Sequence, residues 1–122
     1  ILKIKKIVKE YGYSEKHICF GQITDVLNKS NLIISEYSTA LLESVLFKIP
    51  TILFNINKFK NYPNYFEDYN VVKIVNNDID LRKEVINLLS NEYNNENRDK
   101  FLNDIFNNFE SNASQKIMDL LV

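Results

Sequence analysis

Ser38, Thr39 and Glu43 are the residues of this chain best spaced to do chemistry together. They lie in the run Asn31-Leu32-Ile33-Ile34-Ser35-Glu36-Tyr37-Ser38-Thr39-Ala40-Leu41-Leu42-Glu43, which reads as a strand, a sharp polar turn and a helix. The first turn of a helix presents unpaired backbone N–H groups and a partial positive charge, so it is a natural seat for phosphate. Hydroxyls at Ser38 and Thr39 add donors there, although serine at such a position is equally a helix N-cap. Glu43 follows Thr39 by four residues and stands on the same helix face, about 6 Å further along. It points away from the apolar face of Leu42, Val45 and Leu46. A carboxylate so placed accepts hydrogen bonds from ribose hydroxyls when a diphosphate lies at the helix mouth, and the same spacing fits a solvated helix glutamate.

Other chemistry-bearing residues are fewer. Gly21 ends the run Ile18-Cys19-Phe20 and lets the backbone approach a ligand or simply make a turn. Cys19, the one cysteine, is expected to be a buried, inert thiol, which fits a reducing cytoplasm. His17 has no Cys, Asp or second His near it at metal-ligand spacing, so neither a metal nor a cofactor is expected. Residues 55–70 interleave Phe59, Tyr62, Tyr65, Phe66 and Tyr69 with Lys58 and Lys60. They are read as an ordered loop with its rings tucked against the domain, the alternative being rings that stack on a base or meet an acceptor at a membrane surface.

The elements that must position these residues follow from periodicity. Leu2, Ile4, Ile7, Val8 and Tyr11 recur at helical spacing, with Gly12 as a stop. Residues 17–20 predict a short buried strand, and Ile23, Val26 and Leu27 a short helix. Residues 31–35 predict a strand covered on both faces, and residues 38–48 a helix ended by Pro50. Residues 51–54 and 71–75 predict two further strands. Asn77 or Asp78 caps a helix carrying Leu81, Val85, Leu88 and Leu89. After an Asn-rich surface loop at 91–97 come a helix with Phe101, Leu102, Ile105, Phe106 and Phe109, and a last one with Ala113, Ile117, Met118 and Leu121 that packs back on the domain. Strands alternating with helices imply an α/β fold with a Rossmann-like parallel sheet, flanking helices and ligands at the carboxyl ends of the strands.

The whole chain of 122 residues makes one domain, with 45% hydrophobic and 25% charged residues. Its net charge of −1 leaves no basic field to hold a nucleic-acid backbone, so no nucleic acid is expected as a partner. No apolar stretch approaches the roughly 20 residues that cross a bilayer. The chain opens on Ile1 with an amphipathic pattern in place of a signal peptide, and the expectation is that it begins within a longer protein.

The stretch from about Ile18 to Phe54 resembles the donor-binding signature of GT-B-type glycosyltransferases, where a strand ends in a small polar turn and the next helix carries a glutamate and closes on a small-residue-Lys-Pro pattern. The Glu36-Tyr37-Ser38-Thr39 turn is similar to the Asp-Tyr-Ser-Ser turn of teichoic-acid glycerophosphotransferases. It also resembles the Asp-Ser-Gly turn of non-hydrolysing UDP-N-acetylglucosamine 2-epimerases. The resemblance implies a diphosphate role for Ser38 and Thr39, a ribose role for Glu43, and a ligand-side place for Gly21 and Glu36. Two positions depart from the pattern: Glu36 replaces the commoner aspartate, and Ile49 is read as standing where glycine is usual.

The resemblance implies the C-terminal half of an enzyme of bacterial surface-polysaccharide synthesis. Its partners would be a nucleotide-diphosphate sugar or related activated donor and an N-terminal acceptor domain that supplies any general base. It would be a cytoplasmic protein at the inner face of the membrane, with peripheral membrane contact, and this part alone would bind without turnover. The alternatives are an isomerase domain of the 2-epimerase type on the same scaffold and a non-catalytic α/β binding module. In such sheets the strand order is 3-2-1-4-5-6, and the four predicted strands match the third to sixth. The expectation is therefore a gap between strands 17–20 and 31–35 that is closed by a non-native pairing or covered by self-association.

Overall fold

The computed structural model of the protein describes residues 2–56, 60, 62–91 and 95–106. The expected closing helix around Ile117, together with Lys58, Phe59 and Phe109, lies outside them. Helix α1 (Leu2–Glu10) is followed by a 3-10 turn (Glu15–His17), α2 (Ile23–Leu27), β1 (Ile33–Ser35), α3 (Thr39–Leu46), β2 (Thr51–Phe54), α4 (Tyr65–Asp68), β3 (Lys73–Val75), α5 (Asp78–Ser90) and α6 (Asn95–Phe106). The three strands form a parallel sheet in the order β1-β2-β3, so the architecture is α/β and Rossmann-like.

Register assigns the faces. Leu53 pairs with Ser35 and Ile74 and shares a face with them, whereas Ile52 shares the other face with Ile34 and Lys73. On the first face Leu53 packs with Leu41 and Val45 of α3, Phe66 of α4, Val72, and Phe101 and Leu102 of α6. Burial of these side chains is the main stabilising term of the domain, at roughly 1.5–3 kcal/mol for each large one. The aromatic segment belongs to this core. Phe66 is fully buried, and Tyr65 and Tyr69 lie 5.3 and 5.6 Å from the Phe101 ring. The tucked-ring reading therefore holds for its described residues.

Three expectations are corrected. Residues 17–20 form no strand: Ser14 caps a 3-10 turn by accepting a bond from the Lys16 amide, and Cys19 and Phe20 are exposed. A strand needs a neighbour for its N–H and C=O groups, and the sheet that the described residues form is β1-β2-β3, with which this run does not pair. The free thiol is accordingly not a core thiol. Second, the strand covered on both faces is β2, whose Thr51, Ile52 and Leu53 are all buried, and not β1, an edge strand with Ile34 about half exposed. Third, α6 starts at Asn95, inside the expected 91–97 loop.

Candidate functional site

The polar turn lies at the carboxyl end of β1, where it feeds α3. Ser38 has extended backbone (φ −161°, ψ 168°), and its carbonyl accepts the first bond of the helix from the Leu41 amide at 3.2 Å. Its hydroxyl makes no capping bond to the helix. It stands 3.3 Å from the Ser35 hydroxyl, which donates to the Glu36 carbonyl at 2.8 Å. The N-cap role open to Ser38 from its position is thus realised by its backbone alone. The Thr39 and Ala40 amides have no backbone acceptor among the described residues, as the first turn of a helix requires. Ser38, Thr39 and Glu36 are exposed. The Tyr37 ring sits edge-on to Phe66 at 6.2 Å and pins the turn to the core.

The β3–α5 unit handles the same problem differently. At the carboxyl end of β3, Asn77 Oδ1 accepts from the Asp80 amide at 2.8 Å and Asn77 Nδ2 donates to the Asp80 carboxylate at 2.9 Å. One amide of the first turn of α5 is thus taken by the Asn77 side chain, as the sequence predicts, while the Asp78 and Ile79 amides have no backbone acceptor among the described residues.

Glu43 is not the solvated glutamate that spacing allows. It lies off the face that Leu41, Leu42, Val45 and Leu46 give to the core, yet only 4% of it is exposed, and its Oε2 has no hydrogen-bond partner among the described residues. Burial pushes its carboxyl above the ordinary glutamate range, because desolvation penalises the charged form. A buried acceptor without a donor is uncommon.

The far end of α3 is fixed twice. The Lys48 amide donates to the Val45 carbonyl at 3.1 Å and the Ile49 amide to the Ser44 carbonyl at 3.0 Å, which is a Schellman closure. Its left-handed residue is Lys48 (φ 60°). The glycine-favouring position therefore falls on Lys48 and not on Ile49, whose side chain is buried. Arg98 of α6, itself buried, donates from Nε to the Val45 carbonyl at 2.8 Å and from Nη2 to the Leu46 carbonyl at 2.9 Å, while Nη1 meets Asp99 at 2.8 Å. Sequence reasoning missed Arg98. Its signal was its type: it is one of two arginines in a lysine-rich chain, and arginine's fork suits paired acceptors.

Glu36, Ser38, Thr39 and Glu43 thus belong to one strand–turn–helix unit. Gly21, at φ 149°, lines a separate recess of about 560 Å³ with Phe20, Gln22 and Asp25, and none of those four residues lines it. A smaller recess of about 230 Å³ opens at the amino ends of β2 and β3 beside Pro50, Thr51, Lys73 and Arg98, on the opposite edge of the sheet from the turn. No group of three His, Cys, Asp or Glu side chains among the described residues is arranged to hold a metal ion. In comparisons with known proteins, no family model matches the chain, and no curated protein or solved structure gives a significant match.

Proposed function

We propose that the chain grips the diphosphate of a nucleotide-activated donor at the start of α3, as the donor-binding half of a GT-B-type glycosyltransferase or polyol-phosphate transferase of bacterial surface-carbohydrate synthesis. The observation that carries this reading is the opening of α3: amides that lack backbone acceptors, and two exposed hydroxyls of which that of Ser38 is unspent on capping, at the carboxyl edge of a parallel sheet. Such an edge is where ligands of open α/β sheets sit. Oriented N–H groups and hydroxyls there neutralise the charge gathering on a leaving diphosphate, which lowers the barrier without an acid in this domain.

Glu43 extends the grip to the ribose. Its Oε2 has no donor among the described residues, and ribose hydroxyls are donors. Because the carboxylate is buried in the free protein, ribose binding requires it to become accessible as the ligand seats. Titration calorimetry of UDP, CDP and pyrophosphate tests both parts. Ser38→Ala with Thr39→Val is expected to weaken all three ligands by roughly 1–3 kcal/mol, the scale of hydrogen bonds to a charged group. Glu43→Ala is expected to weaken the nucleotides and leave pyrophosphate unchanged. Unchanged nucleotide affinity in the folded double variant overturns the diphosphate seat. Equal losses for nucleotide and pyrophosphate in Glu43→Ala overturn the ribose role.

A further inference from the structure

Helix α1 has an apolar stripe and nothing buried. Ile4, Ile7, Val8 and Tyr11 fall within an arc of about 100° around its axis, yet Ile4 is 55% exposed, Ile7 45% and Tyr11 77%, and no residue of the helix is buried. Most of the rest of its surface is lysine. Lys3 and Lys5 border the stripe on its two sides, and Lys6 and Lys9 stand behind it. With Glu10 the helix carries a net charge of +3, whereas the whole chain carries −1; the remainder therefore carries −4, the difference between the two. The basic charge of a mildly acidic protein is thus concentrated on a helix whose apolar stripe is uncovered.

We propose that α1 docks on an anionic lipid surface, lying in the plane of the interface with Ile4, Ile7 and Tyr11 entering the headgroup boundary. This inference stands apart from the nucleotide site. A short helix with a lysine-rich face and an aliphatic face is the pattern of interfacial helices. Lysines beside the stripe lay their methylene stems along the apolar zone and keep their ammonium groups at the headgroups. Tyr11 and the also exposed Tyr13 have the apolar ring and polar tip that settle at such a boundary. At nine residues, about 14 Å, α1 lies on a membrane and does not span one, and no described helix is long and apolar enough to cross it. Charge argues against the other occupants. A symmetric contact with a second copy brings together the four lysines that border the two stripes, Lys3 and Lys5 of each copy, and lysine is depleted from the cores of protein interfaces.

Co-sedimentation of the chain with vesicles tests the proposal. Binding is expected to mixed phosphatidylglycerol and phosphatidylcholine vesicles and not to phosphatidylcholine alone, and to weaken as salt is raised. Ile4→Ser with Ile7→Ser, and separately Lys3→Glu with Lys6→Glu, are each expected to reduce vesicle affinity by roughly tenfold or more. Both pairs leave Lys5 and its 3.5 Å contact with Glu15 intact, and neither removes a buried side chain, so their melting curves are expected to match the parent's. No pelleting with anionic vesicles, equal pelleting with neutral ones, or pelleting that both pairs leave intact overturns the proposal. So does sedimentation-velocity evidence of a dimer that Ile4→Ser with Ile7→Ser dissolves, which would assign the stripe to a second copy.

Discussion

Helices α3 and α5 both leave the carboxyl end of a parallel strand, and their first turns are finished in opposite ways. At α5 the Asn77 side chain takes the Asp80 amide and holds the Asp80 carboxylate in return. At α3 the Ser38 hydroxyl turns back toward Ser35 and makes no capping bond. Serine and asparagine are about equally good caps, so the difference lies in what surrounds them and not in residue type. Among the described residues the third amide of each helix is bonded and the first two are not. The first turn of α5 carries the carboxylates of Asp78 and Asp80 and that of α3 carries none, which leaves α3 better able to accept an anion. α3 is instead anchored at its other end, by the Schellman closure at Lys48 and the two bonds from Arg98.

This contrast predicts a graded set of stability changes, each measurable by chemical denaturation. Arg98→Ala is expected to cost the most, about 2 kcal/mol, because it removes two charge-assisted bonds to the end of α3 and leaves the Leu46 carbonyl without that donor. A loss no larger than that of a surface substitution would show that α3 does not depend on this anchor. Asn77→Ala is expected to cost about 1 kcal/mol. Lys48→Gly is expected to stabilise by about 0.5–1 kcal/mol, since it relieves a side chain held at φ 60°. Ser38→Ala in the ligand-free protein is expected to change stability by less than about 0.3 kcal/mol. A cost equal to that of Asn77→Ala would mean that Ser38 caps α3 in solution, and the two helices would then be alike.

Glu43 adds a pH term to α3. Its folded-state carboxyl holds its proton more tightly than the unfolded chain does, so the native state binds more protons over that range. Stability therefore falls as pH rises from the ordinary glutamate value to the raised one, and the penalty is fully present above it. Glu43→Gln is expected to flatten that fall. An unaltered slope in the variant would show that the carboxylate is not desolvated in the folded protein.

Periodicity made much of the fold legible. The helices at α1, α2 and α3, the strand β2 and the Asn77 cap follow from spacing and local chemistry, because those depend on neighbours a few residues away. What spacing could not show was which partner each face or edge meets. The run Ile18-Cys19-Phe20 has a strand's composition but pairs with no strand among the described residues, and Ile33-Ile34 is apolar enough for a central strand yet stands at the edge of the sheet that those residues form. At the site, Ser38, Thr39 and Glu43 were legible as neighbours on one unit, and Glu43's burial was not. A glutamate off the apolar face of α3 gives no local sign that the fold will cover it. Arg98 was hidden for the same reason, since it lies more than fifty residues from the carbonyls it holds.

The diphosphate seat is tested most directly by the backbone amide resonances of the two helix starts during a titration with UDP. The account predicts that Thr39 and Ala40 shift saturably with ligand, while Asp78, Ile79 and Asp80 at the start of α5 stay in place. UDP that binds while Thr39 and Ala40 remain unmoved, or shifts centred on α5, would contradict it.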